Sequence, residues 1–481
     1  MSSSKTPVLD LSNRGDRTFL HLLINTLVVS VMNFTVWFAI TFWVFIETRS
    51  VLATGMVAGI FLVFTAACGI WFGSLVDHHR KKTVMQGSVV ASLAFYLAAF
   101  TVYLIAPDGA FTRASSIWLW VFIVLAMFGV IAGNVRMIAM MTVVTLLIEP
   151  ERRDRANGLV GTATGVTMLV TSVISGLLVA RDGMFSVLLL TMALLLAGMI
   201  HLGLVDVDES RAAELSSSDP DPDAAPDQPP SRKVDLKGTI RLIRGIPGLL
   251  ALIGFTCLNN LLGGAFMALM DAYGLSMMSV QAWGLMWGAV SALFIVGGLM
   301  VARTGLGTKP LRLLLLINVV LWSVTAIFPL QASIPMLVIG MAVYMILVPY
   351  AEAAEQTILQ RVVPYERQGR VFGFAQSVEM AASPLTAFTI GPITQLVFIP
   401  FMTDGTGADL IGGWFGTGPA RGIALVFVLL GVLGVLLTVY ALNSRFYRQL
   451  SARYAESDLP AAETAEPKGD LTPDPASDPR L

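Results

Sequence analysis

Five ionisable side chains stand within or at the ends of otherwise apolar runs of this chain: Arg136, Asp271, Glu352, Glu355 and Glu379. A charge placed in hydrocarbon is costly, so each such residue has either chemistry to perform or a partner to meet. Glu379 follows Val371 by eight residues, which at 1.5 Å per residue sets it roughly 12 Å inside its helix. A carboxyl group there, partly removed from water, can bind and release a proton, or it can make a structural hydrogen bond to a neighbouring helix. Arg136 can hold an anionic group or set the charge state of a nearby carboxylate, or it can be a structurally paired or snorkelling arginine. Glu352 and Glu355 are three apart and share a helical face; they are expected to pair with bases at the end of their helix. Asp271 sits where an apolar run meets water. Among neutral polar residues, Asn25, Asn33, Asn134, Asn259 and Asn260 can each touch a substrate or bond to another helix. His21 and His201 lack metal-ligand spacing, and Cys68 and Cys257 read as small packing residues, so neither metal nor cofactor is expected.

The elements that must position these residues follow from composition. The 481 residues are 55% hydrophobic and 13% charged, with mean hydropathy +0.75, whereas a water-soluble globule carries about 25% charged residues. Lipid is therefore the solvent of most of the chain. Twelve apolar stretches approach the roughly 20 residues needed to cross hydrocarbon as helix: 19–46, 51–76, 83–106, 117–148, 156–180, 184–205, 248–270, 282–302, 311–330, 334–355, 371–400 and 422–442. The connections on one side, together with the two termini, carry 26 of the 31 Lys and Arg residues. The other side carries Arg49, Arg113, Arg181 and Arg421, and Arg136 lies within a span. Basic residues in short loops stay cytoplasmic, so both termini are expected in the cytoplasm. Residues 1–18 form a polar N-terminus without the pattern of a removable signal peptide. Residues 19–205 and 247–445 form two six-helix bundles, separated by an acidic, Pro- and Ser-rich linker at 206–246. Within that linker, residues 234–244 alternate basic and apolar positions at helical spacing, as a membrane-surface helix or a soluble linker helix would. The rest of the linker and the tail at 446–481 have disordered compositions. A net charge of −1 with no aromatic-basic stripe points away from nucleic acid.

Two loop motifs carry more specific information. After the second span the chain reads Gly73-Ser-Leu-Val-Asp77-His78-His79-Arg80-Lys81-Lys82, with Gly69 one turn earlier. Small residues allow helices to approach closely, and an acid can face a helix N-terminus. Glu149-Pro-Glu-Arg-Arg153-Asp-Arg155-Ala-Asn-Gly158 recurs about 214 residues later as Val363-Pro-Tyr-Glu-Arg367-Gln-Gly-Arg370-Val-Phe-Gly373, with one residue inserted. The loop Arg303-Thr-Gly-Leu-Gly-Thr-Lys309 looks like a worn copy of the first motif without its acid.

The first motif resembles the loop signature of the major facilitator superfamily, with Gly69, Gly73, Asp77, Arg80, Lys81 and Lys82 in its gating positions and His78 where the family usually has a base. The repeated loops, with Arg153, Arg155, Arg367 and Arg370, resemble those of the drug:proton antiporter branch that includes macrolide-efflux and enterobactin-export proteins. Span five departs from that branch: Thr171-Ser172-Val-Ile-Ser175-Gly176 lacks the hallmark proline. Arg136 also lies about two turns beyond the branch's usual span-four arginine. The resemblance implies an all-α membrane protein of twelve helices in two pseudosymmetric bundles, rocking around a central site. It implies a monomeric, multi-pass protein of the bacterial cytoplasmic membrane that exports amphipathic or hydrophobic small molecules in exchange for protons. A siderophore or lipid-metabolite transporter is the alternative. A primary pump would need a phosphate-binding loop, and no G-x-x-x-x-G-K-(S/T) occurs. No nucleophile-base set or metal cluster supports an enzyme, and no repeated pore signature supports a channel.

Overall fold

The computed structural model describes residues 9–48, 51–209 and 236–456. Twelve long helices follow the apolar runs: α1 (Arg14–Thr48), α2 (Val51–His78), α3 (Lys81–Ile105), α4 (Ile117–Leu147), α5 (Arg153–Asp182) and α6 (Met184–Leu204) in the first half. The second half has α8 (Leu249–Leu275), α9 (Val280–Thr304), α10 (Pro310–Ile327), α11 (Ile334–Val362), α12 (Gln368–Ile393) and α15 (Pro419–Asn443). Among the described residues, ten of the twelve are long and apolar enough to span a membrane by length and composition alone. The other two, α2 and α12, pack on each other across the halves.

Helix breaks have local causes. Gly183 separates α5 from α6 with φ +61, and Gly305 ends α9 with φ +69, a region that costs an L side chain strain. Pro310 and Pro335 stand in first turns, where their missing N–H leaves no bond unmade. The eleventh span is α12 extended by a π-helical turn, Thr394–Phe398, into α13 (Ile399–Thr403). Pro400 cannot donate to the preceding turn, and the widened turn accommodates that lost bond. The short α14 (Thr406–Phe415) then leads into α15.

The predicted spans agree with these helices, but the ends extend further. α1 starts at Arg14 and α11 continues to Val362, since polar helical turns project beyond the hydrocarbon where hydropathy no longer marks them. The linker segment forms α7 (Leu236–Gly245), which buries Thr239, Leu242 and Ile243 on the second half and leaves Lys237 and Arg241 exposed. Residues 210–235 and 457–481, expected to be disordered, lie outside the described residues. The start of the expected disordered tail is instead helical: α16 (Arg445–Glu456) buries Leu450 and Tyr454, four apart on one face. The Tyr454 ring lies 4.5 Å from the Arg361 guanidinium, and the Tyr454 hydroxyl accepts from Arg361 at 3.1 Å. The acid-rich composition begins only after this anchor.

Pairing between helices repeats across the halves. α1 packs on α5 and α6 as α8 packs on α12 and α15; α3 packs on α4 and α6 as α10 packs on α11 and α15; and α2 lies on α4 as α9 lies on α11. The halves meet through two equivalent crossings, α2 with α12 and α5 with α9. This is the two-fold arrangement that the loop repeat implies.

Candidate functional site

Both crossings are tightest at the end of the bundle that carries the basic loops. On α2, Gly69 and Gly73 face Gly373 and Gly369 of α12. A side chain on Gly73 would overlap the Gly369 carbonyl and come within 2.9 Å of Arg370 Cα. One turn further, buried Asp77 accepts hydrogen bonds from the Gly369 N–H (2.7 Å), the Arg370 N–H (2.9 Å) and Arg370 Nε (3.1 Å). The two N–H groups belong to the first turn of α12, so the carboxylate satisfies orphan donors where the helix dipole favours a negative charge. The neighbouring bases hold the loop. Lys81 donates to the Val76 carbonyl at 2.7 Å and lies 5.1 Å from the Tyr365 ring of the other half. Lys82 donates to the Gly203 and Val205 carbonyls, while Arg80 is exposed just before α3.

At the second crossing the acid has changed sides. Asp154, in the first turn of α5, accepts from the Leu306 N–H beyond α9 at 2.7 Å. By the loop repeat Asp154 occupies the position of Gly369, and Gly305-Leu306 the position of Asp77. The worn loop lacks an acid because α5 supplies it across the interface. Asp154 stands inside the repeated loop, and an acid in one copy with no match in the other is the sequence clue to this role.

Between the crossings, Asn157 donates to Thr357 Oγ1 and Gln360 Oε1 at 2.9 Å, and Gln360 donates to the Met141 carbonyl at 3.0 Å. Arg153 donates to the Thr145 carbonyl at 3.0 Å and the Gln360 carbonyl at 3.5 Å. These bonds seal the basic end. Asp77→Asn removes the charge and leaves an amide with a single acceptor oxygen, which is expected to weaken the sealed state by about 2 kcal/mol, or roughly thirtyfold. Asp154→Asn is expected to cost about half as much. Spin labels on cysteines at His79 and Glu366, exposed on opposite halves, would report the shift as a larger population of long distances. An unchanged distribution in Asp77→Asn would refute this role.

Deeper in the second half, three carboxyl groups converge. Glu355 lies beside Thr256 on α8 and Glu379 on α12, and Glu352 is close enough to interact with the same pair. From the helix ends, Glu355, Glu352 and Glu379 sit about 10, 15 and 16 Å from the sealed end. Glu355 Oε1 is buried without a hydrogen-bond partner, whereas Glu352 is solvent-accessible. Tyr344 lies near Glu352, and Phe266 stacks on its ring at 5.6 Å. Among the described residues no Lys or Arg forms an ion pair with these acids. The expected pairing of Glu352 and Glu355 with bases at the helix end is replaced by this cluster. Neighbouring carboxylates without a base repel one another, so a proton can be held among them and released.

The remaining expected residues fall elsewhere. Arg136 is 0% exposed and donates to Asn25 Oδ1, to Thr26 Oγ1 at 3.3 Å and to the Met85 carbonyl at 3.2 Å. It lies in the interior of the first half and does not meet Glu379, because α4 presents that face to α1 and α3. Asn33 accepts from the Tyr96 hydroxyl at 2.7 Å, and Asn134 donates to Thr65 at 3.2 Å. Asn259 bridges α8 to α10, donating to Asn318 and accepting from Trp322 Nε1 at 2.6 Å; Asn260 donates back to the Thr256 carbonyl. Asp271 accepts from Trp283 Nε1 at 2.9 Å. Of the five asparagines, Asn25 and Asn33 are buried and Asn134, Asn259 and Asn260 are half-buried.

The fold has close parallels among solved structures. The human organic anion transporter MFSD10 (TETRAN) aligns at TM-score 0.64 and 12% identity, covering 88% of this chain and 99% of that one. A bacterial homologue of the iron transporter ferroportin, in an outward-facing state with soaked iron, aligns at TM-score 0.61 and 16% identity over 89% and 99%. The proton:xylose symporter XylE bound to 6-bromo-6-deoxy-D-glucose aligns at TM-score 0.60 and 12% identity over 92% and 100%. At these identities the likeness is one of fold. No curated protein matches the sequence. The Major Facilitator Superfamily profile matches residues 22–387, most of the chain. With its twelve helices, two-fold pairing and sealed glycine crossings, this chain belongs to the Major Facilitator Superfamily: it is a membrane transporter of small molecules, not an enzyme.

Proposed function

We propose that the chain is a proton-coupled exporter of neutral or cationic amphipathic molecules, working by alternating access as its loop resemblance to the drug:proton antiporter branch implies. The observation that carries this reading is the Glu352, Glu355 and Glu379 cluster without a basic partner. One group of carboxyls can accept a proton and release it when a cationic or hydrogen-bonding substrate takes its place. The Tyr344–Phe266 stack beside the cluster offers an apolar, polarisable surface to such a substrate. An organic anion would meet only acidic groups here, which argues against that substrate class for this chain. The distribution of bases favours a cytoplasmic position for the sealed end. The conformation then faces outward, with both termini in the cytoplasm of a bacterial cell.

The test is reconstitution as a monomer in liposomes with a fluorescent lipophilic cation, ethidium, and an imposed proton gradient. Ethidium is expected to move against its own gradient and in the direction opposite to the protons. Equal movement with and without the gradient would overturn proton coupling. Coupled movement of an organic anion in place of ethidium would overturn the substrate class.

A further inference from the structure

The first half carries a cluster of basic groups that neither the seal nor the carboxyl site uses. A cavity of about 330 Å³ opens between the start of α1 and the end of α6, lined by Arg14, Arg17, Thr18, His21, His201 and Asp206, with Leu204 and Val205 at its edge. Arg14, Arg17 and His21 recur at three- and four-residue spacing and therefore share one exposed face of α1. His201 reaches the cavity from α6, its ring 5.6 Å from that of His21.

The orientation of His201 is set from the core. Arg136 can only donate, so Asn25 presents Oδ1 to it. The two hydrogens of Asn25 Nδ2 then go to the Gly198 carbonyl at 2.8 Å and to His201 Nδ1 at 3.0 Å. Nδ1 being an acceptor, His201 carries its proton on Nε2, which remains available as a donor. A buried arginine therefore fixes, through one amide, a donor at the cavity.

The surroundings identify what such a cavity meets. Ile24 continues the exposed face of α1, and Leu196, Ile200 and Leu204 form an exposed stripe at four-residue spacing on α6, Leu204 being 82% exposed. Both stripes run from the basic cavity toward the middle of the helices, where the surface faces hydrocarbon. Cationic donors at the helix ends followed by an apolar track match a phosphate headgroup followed by an acyl chain. A free phosphate would use the donors and leave the track without a role. Asp206 pairs with Arg14, but both side chains are largely exposed, and a pair of that kind is readily exchanged for a stronger anion.

We propose that this cavity is a binding site for the phosphate of an anionic phospholipid, held by Arg14, Arg17, His21 and His201 with an acyl chain along Ile24, Leu196 and Ile200. Lipid seated there joins α1, which packs on α5, to α6, within the half that moves as a body.

The test is native mass spectrometry of the full chain released from bilayer discs of phosphatidylcholine with a minor share of phosphatidylglycerol. The protein is expected to retain phosphatidylglycerol about tenfold in preference to phosphatidylcholine. Arg17→Gln with His21→Gln removes two exposed side chains outside the core network and is expected to abolish the preference. Lys237→Gln with Arg241→Gln, on the distant α7, is expected to preserve it. Millimolar inorganic phosphate is expected to leave the retained lipid in place. Equal retention of the two lipids by the parent, unchanged preference in Arg17→Gln/His21→Gln, loss of preference in the α7 variant, or displacement by inorganic phosphate would each overturn the proposal.

Discussion

Gly73→Val is expected to hold the two halves apart at the basic end and to reduce transport by about a hundredfold. The expectation rests on what the new side chain would meet. Its Cβ would overlap the Gly369 carbonyl oxygen and come within 2.8 Å of the Gly369 carbonyl carbon and 2.9 Å of Arg370 Cα. All three are backbone atoms, so no rotamer change relieves the overlap and α12 must move away from α2. Asp77 lies one turn beyond, and its hydrogen bonds at 2.7, 2.9 and 3.1 Å have little slack before they cease to be bonds. Overpacking at about 1–3 kcal/mol and the weakened Asp77 contacts at about 2 kcal/mol then act on the same state. The proposed alternating access requires this end to close once per cycle, so the loss is expected on turnover and not on insertion. The distance between labels at positions 79 and 366 should lengthen and transport should fall. Gly87→Val on α3, where nothing lies within 4 Å, should do neither. A Gly73→Val protein with the parent's distance distribution would show that the crossing is not a moving contact.

The fold was legible because hydrophobic run length and the position of bases are sequence-local properties that the bilayer imposes directly. Helix ends were less so: residues 356–362 continue α11 as polar helix inside a protein interface, where hydropathy does not distinguish them from a loop. Gly69, Gly73 and Asp77 could be read as one half of a contact. Their partners, Gly369 and Arg370, lie in the repeated loop at 363–373, but nothing in either motif states that the two touch. That pairing is a property of how two pseudosymmetric halves meet. The same holds for Asp154, whose role is visible only once Leu306 is seen across the interface. Arg136 illustrates the opposite difficulty. A charge inside an apolar run signals that a partner exists, yet it does not separate a cavity from a core, and here the partners are Asn25, Thr26 and the Met85 carbonyl. Helical periodicity placed Glu352 and Glu355 on one face without saying what that face opposes. The opposing residues, Thr256 and Glu379, lie on two other helices, about 100 and 24 residues away in sequence.

Glu379→Gln is expected to abolish accumulation driven by a proton gradient while preserving exchange of substrate down its own gradient. A gradient of about two pH units limits one-for-one exchange to about a hundredfold accumulation, tenfold for each unit; without coupling the ratio falls to about one. Glutamine keeps the size and polarity of the side chain beside Glu355, but it cannot bind and release a proton in the working range. Glu355→Gln is expected to give the same loss, because the proton belongs to the pair and either partner's removal leaves no site that two carboxyls share. Glu352 differs in being exposed and beside Tyr344. Glu352→Gln should therefore retain gradient-driven movement and lose affinity for ethidium relative to a neutral probe of similar size. Counterflow of labelled substrate in the same liposomes separates the two effects, since counterflow needs binding and rocking but no proton. If Glu379→Gln accumulates substrate as the parent does, the coupling group lies outside this cluster. If it also loses counterflow, Glu379 serves binding or the rocking movement itself, and the carboxyl pair is not a dedicated proton site.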